Sequence, residues 1–295
     1  MLDGRALGGP TCPGHCSKPT CQVDGLNDMA PHGDSITERE EQLLAAQRRV
    51  FEHPGYQEYR LCLAFQRSIN AVFVQNLSEL LALLERASTD SKLAFELIQN
   101  VRPPHIREKF HADTTQRLHN YVAGTMTLVD HSRRIMRRRT GQVAEEFEQR
   151  KIELLKNPEV GFIQDLRNFL LHRTLPFFAH TLSMANVNTP QQTMTSEVEL
   201  SVVELTEWDR WSSSSRRYLE SLGEVVTLRP LIKHHGHLIV EINNWLHDAL
   251  AIANRDSLAE VNRLVVERNA VLTGSDFAQA EGLTQHWSDL RAGFE

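Results

Sequence analysis

Apolar side chains recur every three or four residues along most of this chain, so helices are expected almost throughout. Thr37 and Glu40 have the spacing of a capping box, and order is expected to begin there. Leu43, Leu44 and Val50 carry the pattern to a break at His53-Pro54-Gly55. A long helix follows on Tyr59, Leu63, Phe65, Ile69, Phe73, Leu77, Leu80, Leu81 and Leu84. Thr89 or Asp90 restarts a short helix that must end before Pro103-Pro104. The period returns from His105 to Arg139 through Leu118, Tyr121, Val122, Val129 and Met136. Gly141 interrupts it, a charged helix runs to Lys156, and Asn157-Pro158 stops that one. A further helix is expected over Gly161–Leu182.

Past residue 182 the period changes to two. Val198, Leu200 and Val202 alternate with Glu197, Glu199 and Ser201, the pattern of a strand with one buried face. Ser183–Asn188 is its expected hairpin partner across Pro190-Gln191-Gln192. Helices resume over Thr206–Leu222, Pro230–Asn254 and Ser257–Leu272, the last with a Ser257/Glu260 capping box. The fold class is therefore mostly α, a helical bundle with one short antiparallel β-hairpin. Four segments follow: a disordered tail over 1–35, rich in Gly, Pro, Ser, Thr and Asp; a bundle over 36–182; the hairpin and C-terminal helices over 183–272, packed on the bundle; and a loosely packed end over 273–295. No repeat of 20–50 residues is visible, which argues against a solenoid.

Charge and composition narrow the function classes. The 32 Lys+Arg against 38 Asp+Glu give a formal net charge of −6, which excludes a wholly basic nucleic-acid binder and a polyacidic disordered chain. The most apolar stretch, Leu61–Leu84, is broken by Gln66, Arg67, Asn70, Gln75, Asn76 and Glu79, so no membrane span is expected. Met1–Pro10 lacks the basic and apolar regions of an export signal. Three of the four cysteines crowd into residues 12–21 and the fourth, Cys62, lies in a helical pattern, which is no disulfide framework. A cytoplasmic location is expected.

Several active-site signatures are absent: the phosphate-binding Gly-x-x-x-x-Gly-Lys loop, Gly-x-Gly-x-x-Gly after a strand, the Gly-x-Ser-x-Gly elbow and His-Glu-x-x-His. Cys12, His15, Cys16 and Cys21 are soft ligands, but their spacing is irregular and no second pair completes a zinc site. His234, His237 and Glu241 fall on one helix face, and Glu108-x-x-His111 is half of a di-metal bundle motif without its second half. No metal or cofactor is expected. Trp208, Trp211 and Trp245 sit at core spacing. Arg133, Arg134, Arg137, Arg138 and Arg139 form a basic run with no acid inside it. Its partner is either the nearby Glu145, Glu146 and Glu148 or a phosphate backbone, which guanidinium groups fit well.

The most informative segment is Asp165-Leu166-Arg167-Asn168-Phe169-Leu170-Leu171-His172. Leu166, Phe169 and Leu170 form its buried stripe, and Asp165, Asn168 and His172 stack on one face. A histidine near neutral pH moves protons, and an arginine beside it binds phosphate or stabilises a phosphorane. These are the groups needed to cleave RNA without metal, with the ribose 2′-hydroxyl as nucleophile.

Arg167-Asn168-Phe169-Leu170-Leu171-His172 resembles the Arg-polar-x-x-x-His motif of HEPN domains, small helical bundles found in toxins, phage-defence proteins and RNA-processing enzymes. The resemblance covers residues 37–182. It implies a homodimer in which Arg167 and His172 of two protomers build one endoribonuclease site. Arg167 would bind the scissile phosphate, His172 would do acid–base work and Asn168 would orient one of them. The Arg133–Arg139 run would hold RNA, and a neutralising protein partner is a further implication. The competing expectation is a non-enzymatic helical scaffold, which an Arg167–Asp165 ion pair and a buried His172 would favour.

Overall fold

Local stop and start signals set most helix boundaries in the computed structural model, which describes residues 38–98, 105–173, 178–189, 192–274 and 282. The tail with Cys12, His15, Cys16 and Cys21, and nearly all of the C-terminal segment, lie outside the described residues. Helix α1 (Glu38–Glu52) ends at His53, whose Nδ1 accepts the Gly55 amide and so caps α2 (Pro54–Arg67). The long helix expected next is continuous but contains a π-helical stretch, Ser68–Val74, before α3 (Gln75–Thr89). Asp90 Oδ1 accepts the Lys92 and Leu93 amides, both at 3.0 Å, and starts α4 (Ser91–Ile98). The central helix is α5 (His105–Met136), followed by α6 (Gln142–Lys156) and α7 (Pro158–His172).

Two expectations change at this point. Helix α7 ends at His172 rather than continuing to Leu182, and residues from Phe178 are already strand. Pro176 disfavours helix before it, and the spacing of Phe178 and Leu182 suits a strand as well as a helix. Strand β1 (Phe178–Ala185) pairs antiparallel with β2 (Thr193–Ser201), in the register Phe178↔Leu200 and His180↔Val198. The hairpin loop uses Asn186 and Asn188 at positive φ, a conformation asparagine tolerates. A third strand, β3 (Val225–Thr227), adds to the other edge of β2.

The C-terminal helices are α8 (Val202–Thr206), α9 (Ser213–Ser221), α10 (Leu228–Ala253) and α11 (Arg255–Thr273). Val202, expected in the strand, opens α8 instead. The single helix expected over Thr206–Leu222 is split, because Trp208 and Trp211 turn inward between α8 and α9. The Ser257/Glu260 pair does not cap α11, which starts earlier, after Asn254. The protein is mostly α, with a small three-stranded antiparallel sheet.

One large apolar cluster runs without interruption from Cys62 and Phe65 on α2 through Phe162 and Leu166 on α7 to Leu246 and Leu250 on α10. A smaller one, Val50 with Val261, Leu264 and Val265, ties α1 to α11. Arg39 donates to the carbonyls of Val271 and Leu272 in the last turn of α11, where helix carbonyls lack intrahelical partners. A Cβ at Gly55 would lie 2.7 Å from the Ser257 carbonyl oxygen, so only glycine lets α2 begin that close to α11. Among the described residues no helix is long and apolar enough to cross a membrane.

Candidate functional site

Asn157-Pro158 ends one helix and begins the next. Asn157 Oδ1 accepts the Glu159 amide at 2.9 Å, and Pro158 takes the first helical position of α7, where no amide donor is needed. Val160, Phe162, Ile163, Leu166 and Phe169 form the buried face of α7. Phe162 and Phe169 stack on Trp211 at 5.4 and 5.6 Å, and Trp208 meets Phe169 edge-on at 5.6 Å. Trp211 Nε1 donates to the Leu205 carbonyl at 2.6 Å, so both tryptophans are core residues.

Asp165 borders this face and turns toward α9. Its Oδ2 accepts from the Ser212 amide at 2.9 Å and from Ser215 Oγ at 2.7 Å. The carboxylate therefore sits at the start of α9, where amide donors and the helix dipole favour it. It does not pair with Arg167, and it does not join Asn168 and His172 on the outer face.

That outer face carries Arg167, half-buried, and Asn168, Leu171 and His172, all exposed. At about 100° per residue, Leu171 projects between Arg167 and His172 on this arc. Among the described residues Arg167, Asn168 and His172 make no hydrogen bond or ion pair. The neighbouring Arg173 behaves differently. Its Nη2 donates to Glu207 Oε2 at 2.6 Å, and its guanidinium lies 6.0 Å over the Phe169 ring. Among the described residues the cation and the imidazole of the motif are thus uncommitted, while the arginine next to them is tied down.

The Arg133–Arg139 run closes α5 and the turn after it. Arg139 is engaged by Glu58 of α2, and Arg133 lies a loose 3.7 Å from Asp130. Arg134, Arg137 and Arg138 are exposed and form no ion pair among the described residues. The expected intramolecular partners are elsewhere, Glu146 on Arg150 and Glu148 on Lys151. The negative end of the α5 dipole favours cations at this place. From His111 to Met136 the helix rises about 37 Å. Phe178, six residues beyond His172, packs against His111. The run therefore lies at the end of α5 remote from the start of β1.

No family model, no curated protein and no solved structure matches this chain.

The other candidate ligands are dispersed. His234 Nδ1 meets Glu159 Oε2 at 2.6 Å, while His237 and Glu241 stand 3.9 Å apart. Among the described residues no three His, Cys, Asp or Glu side chains are grouped to hold a metal ion. Burial pushes the Cys62 thiol up to about 11, with Glu58 adding to the effect, so it is no ready nucleophile.

The fold also brings together groups that no sequence pattern announces. Tyr121 Oη lies 2.5 Å from His235 Nδ1 in the core, and His235 Nε2 has no partner there. Burial holds the His235 imidazole down at about 3, with His234 adding to the effect. His131 Nδ1 lies 2.8 Å from Ser68 Oγ, where the π-helical stretch begins. His111 on α5 and His180 on β1 meet nitrogen to nitrogen at 2.8 Å. The partners are distant in sequence, so helical or strand periodicity could not have paired them.

Proposed function

We propose that this protein is a metal-independent endoribonuclease of HEPN type, acting as a homodimer. The observation that carries the reading is the outer arc of α7. Among the described residues Arg167, Asn168 and His172 share it without side-chain partners, while Asp165, the group expected to neutralise Arg167, is spent on α9. No carboxylate lies three or four residues from Arg167 on α7, the spacing at which a helical ion pair forms, so its guanidinium is suited to an external anion.

In the reaction proposed, the ribose 2′-oxygen bonds to phosphorus and gives up its proton, and the bond to the 5′-oxygen breaks. The departing 5′-oxygen takes a proton, leaving a cyclic phosphate. His172 serves one of these proton transfers, and His172 of the second copy serves the other. Arg167 offsets the charge that builds on the phosphoryl oxygens, and Asn168 orients the imidazole or the phosphate. Arg134, Arg137 and Arg138 offer a salt-sensitive surface for a longer RNA.

The test compares wild type with His172→Ala and Arg167→Ala on single-stranded RNA, with chelator present and a DNA strand of the same sequence as control. Cleavage of RNA alone, lost in both variants, is expected. Equal background cleavage by wild type and His172→Ala would end the enzyme reading. The scaffold reading would then take its place, because Leu171, 49% exposed between Arg167 and His172, gives that face an apolar contact point. The same face would be the docking site of a neutralising protein.

A further inference from the structure

Two imidazoles join the start of α5 to the sheet. The His111 and His180 Nε2 atoms are 2.8 Å apart. Their ring planes agree within 9° and their centroids are 5.1 Å apart, so with the two nitrogens between them the rings meet edge to edge. His180 Nδ1 lies 3.2 Å from Ser196 Oγ on β2. Phe110 flanks His180 at 5.8 Å and Phe178 flanks His111 at 5.9 Å. A contact of this length needs one N–H and one lone pair. It therefore holds a single bridging proton, because two cationic rings would set N–H against N–H.

We propose that His111 and His180 form a one-proton latch between α5 and the edge strand β1, which acid opens to let β1 fray from the sheet while β2 stays packed on α3 and α4. The charges around the pair leave a second proton uncompensated. Arg107 is the cation that acts on both rings. Glu108, Lys109 and Asp113 on α5, and Lys92 and Glu96 on α4, are not among the charges acting on either ring. From β2 the pair meets only the neutral Ser196 hydroxyl. The strand's carboxylates are engaged elsewhere, Glu197 by Arg229 and Glu199 by Thr181.

Burial holds His180 down at about 4, with His111 and Arg107 adding to it, and burial likewise lowers His111. The closed latch therefore refuses a proton that the open form accepts. Comparing a free imidazole at about 6.5 with one held at about 4, uptake at His180 alone favours opening about thirtyfold at pH 5 relative to pH 8.

Hydrogen–deuterium exchange on the full chain, corrected for intrinsic pH dependence, tests this. Amides of Phe178–Ala185 should lose protection about thirtyfold between about pH 8 and about pH 5 through an opening that low urea scarcely changes, whereas any acid loss in α3 should carry the full urea dependence of global unfolding. His180→Phe, which puts an apolar ring in place of the titrating one, should change by less than about twofold over the same range. Unchanged protection in β1, or a loss in β1 with the same urea dependence as the helices, would overturn the latch. Nitrogen NMR of the wild-type histidines gives a reading that needs no variant. The pair must show one shared proton with His180 titrating far below the ordinary range, and two independent titrations near 6.5 would overturn it.

Discussion

Asp165 and Asn168 lie three residues apart on one helix and have opposite roles. The Asp165 carboxylate accepts from the Ser212 amide and from the hydroxyl of Ser215, a fully buried residue. Asp165→Ala leaves both donors without that partner, and a loss of about 1–3 kcal/mol is expected in urea unfolding. Asn168→Ala and His172→Ala remove exposed side chains that have no partner among the described residues, and both should stay within about 0.5 kcal/mol of wild type. Comparable losses in all three would show the outer arc to be structural rather than functional. Helical periodicity had grouped Asp165 with Asn168 and His172, which is correct for the angle and wrong for the contact. The donors that capture Asp165 come from α9, and nothing within one helix turn signals them. The same limit hid His111, whose visible neighbour was Glu108 but whose actual partner is on β1.

At the scale of elements, boundaries written in local chemistry were legible. Proline at the first position of α2 and α7, Asp90 before α4 and Gly141 before α6 act within a few residues, so their effect is present in the sequence. Features decided by tertiary partners were not. The π-helical stretch has the same apolar period as the helices around it, and at Gly124 the α5 backbone passes so close that a Cβ would lie 3.2 Å from the Val72 carbonyl oxygen. Strand β3 is too short to show a period, and the end of α7 depended on β2 pairing with the residues after it. The outer arc of α7 supports one element-level prediction, which rests on the dimer proposed above. If two copies pack through α7, Leu171 is covered, and Leu171→Lys should convert the dimer to monomer in light scattering at micromolar concentration while the thermal midpoint stays near that of a monomeric wild type. A wild type that is monomeric throughout would remove the two-copy site.

The fold holds His235 in its core and His180 half-buried where β1 meets α5, and these two imidazoles set its response to acid. His180 is held at about 4 and His235 at about 3, both chiefly by burial, while an unfolded chain returns each to its ordinary value. Between those limits the unfolded state binds more protons than the native one, so stability is complete above about pH 6.5 and falls as pH drops. Each group adds a slope of about 1.4 kcal/mol per pH unit in that window. Urea titrations across the window should show a decline of about two protons from these groups, with His111 adding to it. His235 contributes from the centre, against Tyr121 and with Nε2 unpartnered, so it can be tested apart from the latch at the sheet. Replacing both partners, in Tyr121→Phe with His235→Leu, removes the titrating ring without leaving its hydroxyl neighbour unpaired. That double variant should flatten the acid slope by about one proton and leave the slope against urea unchanged. A slope identical to wild type would mean that acid acts on the sheet contacts alone, and that the central imidazole is already open to protons in the native state.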